Sequence, residues 1–256
     1  LVGLSHGQSP AGAYNYIIEH YNELKNPQNI RFTFINSPLI TQEGLEGIVD
    51  ARVFVLQLLR EKLITKEQII GRNFDASEID TYCKEVNETL QNYLDSQQKE
   101  GLDYAFLATN PDGRIAGIER RSKAFQSDEI SIVVTLKKEK EITITPSFLR
   151  KTKKIAFLAT KSDKRRPLAW LFSIWGKTDE SPSFLRFFDD VENRVTVFVD
   201  DLALTWPQIE IERETPYGKS LIKIDVPRPY KPNAKEKLPV VLLIHGFGED
   251  GDIWKY

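Results

Sequence analysis

Residues 1–14, LVGLSHGQSPAGAY, place Gly7, Gln8 and Ser9 in a polar turn between an apolar run and a helix start. Such a turn aims several backbone N–H groups and the positive end of a helix dipole at one point, which suits a phosphate. Gly7 lets the backbone approach a ligand closely, and Ser9 offers both a helix cap and a hydroxyl donor. A second polar stretch, TNPDGRIAGIE, carries Asp112, Arg114 and Glu119 behind another apolar run. Carboxylates do acid and base work. A guanidinium keeps its charge at any workable pH and binds a carboxylate or a phosphate through its planar fork. Alone, Asp112 and Gly113 also read as an ordinary turn. A third cluster, Lys161, Lys164, Arg165 and Arg166, reads as solvated surface in isolation, but it follows a buried strand, which makes Lys164 a candidate anion ligand.

These groups are useful only if the fold carries them to one place. Five apolar runs read as buried strands: Leu1 to Ser5, Arg31 to Ile35, Tyr104 to Ala108, Ile155 to Thr160 and Val195 to Val199. Amphipathic stretches separate them, so the expected fold is α/β, a doubly wound parallel sheet with helices on both faces. The polar residues then sit at the carboxyl ends of strands, where open α/β sheets bind ligands. Ser9 is expected to cap the first helix and Pro10 to occupy its first turn, with Tyr14, Ile17, Ile18, Tyr21 and Leu24 on its apolar face. Ile79, Cys83, Val86, Leu90 and Leu94 form another helical stripe, which makes Cys83 a buried structural thiol. Residues 130–144 alternate less cleanly and are lysine-rich, and are expected to form more exposed strands and turns.

Bulk properties narrow the function classes. With 41% hydrophobic residues, 28% charged residues and a net charge of -2, the chain has no field to attract nucleic acid or an anionic membrane. The longest apolar runs are too short to cross a bilayer, and the cytoplasm is the expected location. One cysteine and three histidines without a cluster imply neither disulfide, metal nor redox cofactor. The chain opens on an apolar strand and contains no methionine, so part of a longer sequence is expected to be absent. A homo-oligomer remains open.

The first segment resembles the strand, TGGTP-like loop and helix of the glucosamine-6-phosphate deaminase and 6-phosphogluconolactonase family. Gly7, Ser9, Pro10, Gly12 and Tyr14 fall on that pattern, while Gln8 replaces a glycine. FLATNPDGRIAGIE resembles the deaminase motif DGHIAFNEP more than the lactonase motif DGHTASLFP, with Asp112, Gly113, Ile115, Ala116 and Glu119 in register. Arg114 stands in place of the family's acid and base histidine, whose proton exchange near neutral pH an arginine cannot perform. After the second strand, Asn36, Ser37, Pro38 and Leu39 replace an LDEY-like acidic pair. Lys164 matches a lysine that follows a glycine-rich turn. The resemblance spans residues 1–206 and implies a phosphorylated sugar as ligand: Gly7, Gln8, Ser9 and Lys164 on the phosphate, Asp112 and Glu119 beside the reacting carbons, and Arg114 as a binding group.

After Trp206 the texture changes. Residues 207–237 are charged and proline-rich, and Pro216, Pro227, Pro229 and Pro232 forbid a long helix. The run LPVVLLIHGFGEDGDIW then resembles the strand and HGFG-type loop that open an α/β-hydrolase. That resemblance gives the backbone N–H of Phe247 an oxyanion-binding role and makes 207–256 a linker plus the first strands of a second domain.

Overall fold

The computed structural model describes residues 1–38, 51–71, 78–136, 139–171, 187–188, 191–204, 208–215 and 218–225. Five short strands form the central sheet: β1 (Val2–Leu4), β2 (Phe32–Phe34), β4 (Tyr104–Ala108), β7 (Lys154–Ala159) and β8 (Val195–Val199). Their order is β2-β1-β4-β7-β8 and every pair is parallel. All five expected strands are therefore present. The chain moves one way from β1 to β2 and the other way from β1 to β4, so the strand order reverses at β1, where open sheets form a ligand crevice.

Strand periodicity divides the sheet's side chains between two cores. Leu4, Phe32 and Phe34 join Tyr14, Phe54, Val55 and Leu58 of helices α1 (Ala11–Glu19) and α2 (Ala51–Arg60) on one face. Ala105, Leu107, Ile155 and Phe157 join Cys83, Val86, Leu90 and Leu94 of helix α3 (Ile79–Ser96) on the other. The stripe on α3 is buried as expected, and helices cover both faces. Gly3 sits where a Cβ would come within 2.7 Å of Leu102 Cδ1 and 3.0 Å of Ile35 Cγ1, so β1 runs close to its neighbours only because it lacks a side chain there.

Two expectations are corrected. Helix α1 stops at Glu19 because His20 leaves helical geometry (φ -111°, ψ 15°); Tyr21 is still buried from the following 3-10 turn, while Leu24 is exposed. Residues 130–144 are not a peripheral ribbon. β5 (Ser131–Leu136) pairs antiparallel with β6 (Glu139–Ile144), which pairs antiparallel with β3 (Asn36–Pro38) in a second sheet, and Val134, Ile142 and Ile144 are buried in the larger core. The proline-rich stretch after Trp206 contains a hairpin, β9 (Gln208–Thr215) with β10 (Gly218–Asp225). Ile209 and Ile211 alternate with Glu210 and Glu212, a period-2 signal that the nearby prolines obscure. Residues 226–256, including Phe247 and the HGFG loop, lie outside the described residues.

Candidate sugar-phosphate site

The turn after β1 is anchored from below. Tyr14, fully buried and stacked on Phe54 at 4.6 Å, donates its hydroxyl to Ser5 O at 2.8 Å. The aromatic face of α1 thereby sets the height at which the turn leaves the sheet. Gly7 has φ +114°, a conformation that side chains disfavour, and a Cβ there would meet nothing within 4 Å. It is the backbone conformation, not space, that requires glycine. Ser9 is buried but does not cap α1: Pro10 occupies the N-cap position without a side-chain hydrogen bond. Backbone bonds close the entry instead, from Ala11 N–H to Gln8 O at 3.2 Å and from Tyr14 N–H to Pro10 O at 2.9 Å. His6 N–H donates to Asn36 Oδ1 at 3.3 Å, so the first residue of β3 ties the β1 turn to the segment that follows β2.

The loop after β4 is internally locked. Asn110 N–H donates to Arg114 O at 2.8 Å and Gly113 N–H to Asn110 O at 2.9 Å. Ile115 and Ile118 are buried beneath it, and Thr143 Oγ1 on β6 donates to Ala116 O at 2.5 Å. This is how the second sheet serves the site, by fixing the loop's far end. On that support Arg114 Nε lies 2.7 Å from Asp112 Oδ2, and its Nη1 lies 4.0 Å from Glu119 Oε1. Its side chain is 17% exposed, against 56% for Asp112 and 58% for Glu119. Sequence-predicted Asp112, Arg114 and Glu119 therefore meet in one cluster, with the arginine packed between two more exposed acids.

After β7, Ser162–Lys164 make a 3-10 turn that leads into helix α5 (Arg165–Leu171). Lys164 is buried and its ammonium donates to Asp163 Oδ2 at 2.7 Å. Lys161 instead reaches across the crevice, where its Nζ donates to Gln8 Oε1 at 2.7 Å. Its own N–H is received by the Asp200 carboxylate at 2.9 and 3.0 Å, just past β8. Asp200 Oδ1 also accepts Ala203 N–H at 2.8 Å and so caps helix α6 (Asp201–Leu204). Sequence reasoning placed Lys161 only in a basic surface run and gave Asp200 no role in the site. No local signal marks a contact between residues 153 positions apart.

Among the described residues no group of three or more His, Cys, Asp or Glu is placed to hold a metal ion, and no helix is long and apolar enough to cross a membrane. What gathers at this edge is a glycine-bearing turn, two lysines and an arginine between two acids. This set can bind an anionic polyol, with donors for its charge and acceptors for its hydroxyls.

No curated protein sequence matches the chain. Solved structures do. The 6-phosphogluconolactonase from Trypanosoma cruzi is similar with a TM-score of 0.64 at 20% identity, over 79% of this chain and 82% of that one. The 6-phosphogluconolactonase from Leishmania guyanensis has a TM-score of 0.60 at 20% identity, over 79% and 84%. A monomeric glucosamine-6-phosphate deaminase has a TM-score of 0.60 at 19% identity, over 79% and 86%. At such identities these structures speak for the fold. The family model described as glucosamine-6-phosphate isomerases/6-phosphogluconolactonase matches residues 2–187, most of the sequence. With that match and the parallel sheet in agreement, the chain belongs to the glucosamine-6-phosphate isomerase/6-phosphogluconolactonase family.

Proposed function

We propose that this chain binds a phosphorylated sugar, an amino sugar or a sugar acid or lactone, at the carboxyl edge of its parallel sheet and acts in carbohydrate metabolism through an altered acid and base site. One observation carries the reading: turns from three distant regions, 5–9, 109–119 and 160–164, follow three adjacent parallel strands beside the point where strand order reverses. Gly7, Gln8 and Ser9 hold the phosphate with their backbone and hydroxyl donors. Lys164 joins them by exchanging Asp163 for the ligand. Asp112 and Glu119 face the sugar carbons and hydroxyls, and Arg114 orients both acids while binding the ligand's far end. The substrate is small and needs no cofactor.

Arg114 also favours a second reading, in which the domain binds its ligand without turning it over. A side chain that holds its charge throughout the working pH range relays no proton, and it engages both carboxylates that would otherwise do so. In that reading residues 1–206 are a metabolite-sensing unit, and 207–256 link it to an α/β-hydrolase whose oxyanion-binding N–H belongs to Phe247. Calorimetric titration with glucosamine 6-phosphate and 6-phosphogluconate, followed by a product assay with the amino sugar phosphate and the phosphogluconolactone, separates the possibilities. Binding with turnover supports an enzyme, binding alone supports a sensor, and binding of neither ligand overturns both.

A further inference from the structure

The contact between Gln8 and Lys161 has features that a simple tertiary staple does not need. Lys161 adopts φ +75°, ψ 161°, a region that is essentially reserved for glycine and strained for any residue with a side chain. The strain is maintained from outside the turn, because both carboxylate oxygens of Asp200 receive the Lys161 N–H. A glycine would satisfy the same backbone bond without strain. What the lysine adds is its ammonium, which this conformation sends across to the β1 turn and sets against Gln8 Oε1. Gln8 lies between Gly7 and Ser9, and the contact is exposed. The ammonium's bond to a neutral amide oxygen carries full charge on one side only, whereas a phosphate oxygen adds the opposite charge and holds the ammonium more strongly.

We infer that Lys161 is a further phosphate-binding residue, held over the turn by Gln8 until the ligand's phosphate displaces the amide oxygen. The inference rests on the phosphate reading of the 5–9 turn and deepens it. Asp200 is then a positioning residue, acting through the backbone of Lys161. The expected ligand group is a phosphate monoester dianion, whose several oxygens accept from the turn N–H groups and the ammonium together.

The test is isothermal titration of the full chain at low salt with inorganic phosphate and with 6-phosphogluconate. Wild type is compared with Lys161→Gln, Gln8→Ala and Ser9→Ala. Lys161→Gln keeps the length and removes the charge, and is expected to weaken both probes about tenfold, the usual worth of a charge-assisted bond. Gln8→Ala keeps the turn's backbone donors and frees the ammonium, and is expected to lose less affinity than Lys161→Gln does. Should Lys161→Gln fold poorly, Lys161→Gly suits the backbone and is expected to melt no lower than wild type while showing the same loss of affinity.

If Gln8→Ala weakens binding as much as Lys161→Gln does, the pair is only a structural staple and the inference is wrong. If both lysine variants bind like wild type while Ser9→Ala binds more weakly, Lys161 has no such role but the phosphate turn stands. If wild type itself binds neither probe, both readings fall.

Discussion

Arg114 Nε lies 2.7 Å from Asp112 Oδ2, so the arginine of the loop after β4 grips the first acid of the same loop. Its side chain is the least exposed of the three-residue cluster, and Glu119 lies on its other side at 4.0 Å. The pair's behaviour is the most direct guide to whether the site does chemistry.

Arg114→His is expected to give the site a proton carrier, and therefore a pH-dependent limb near the ordinary histidine value of about 6.5, with turnover raised about 100-fold or more over the parent. Rates of lactone hydrolysis and deamination between pH 5 and 9 check this. A flat profile at the parent rate would show that the lack of a proton carrier at position 114 is not what limits this chain.

Tyr14→Phe removes the hydroxyl that bonds Ser5 O at the base of the turn. The lost bond is buried and leaves a carbonyl under-satisfied, so destabilisation of about 1–2 kcal/mol is expected in urea, with an unchanged m value. Sugar-phosphate affinity should fall several-fold at the same time, since the turn loses its anchor to α1. A variant as stable as wild type would mean that the turn is supported from elsewhere.

Gly3→Ala inserts a methyl group toward Leu102 and Ile35, both with no exposed surface. Neither neighbour has room to withdraw, and overpacking of this kind costs about 1–3 kcal/mol. Thermal unfolding should register a lower midpoint with the secondary structure retained. No change in midpoint would show that β1 can separate from its neighbours at low cost.

Cys83 is buried on α3, with its Sγ 3.5 Å from Ser131 O, and burial pushes its thiol pKa up. A raised folded value means that the native state holds the proton more tightly. The resulting contribution to stability is complete below the unfolded thiol value of about 8.5 and is lost as pH rises through the raised folded value. An aromatic disulfide reagent at pH 8 should therefore label the chain only at the rate of its unfolding. Rapid labelling of the native protein would contradict the burial.

The alternation of apolar runs with amphipathic stretches was enough to identify the parallel sheet, because strands under helices are mostly apolar, and 2–4, 32–34, 104–108, 154–159 and 195–199 are apolar apart from Thr33, Lys154 and Thr196. The Cys83 stripe was legible for a related reason, since helical periodicity and burial describe the same surface. Resemblance to a family motif brought Asp112, Arg114 and Glu119 under suspicion together, and one short loop carries all three. Tertiary structure alone decided the rest. Whether Ser9 caps α1 depended on how the backbone enters the helix, and Gln8 O supplied the bond that a serine hydroxyl would have made. The burial of β5 and β6 depended on a distant core that includes α3, which no alternation within 130–144 encodes. The reach of Lys161 to the β1 turn depended on a backbone conformation held by Asp200 and on an amide 153 residues away. Sequence spacing reports what lies within a few residues on one element, whereas a site assembled from the ends of several strands is defined by which strands the sheet makes neighbours.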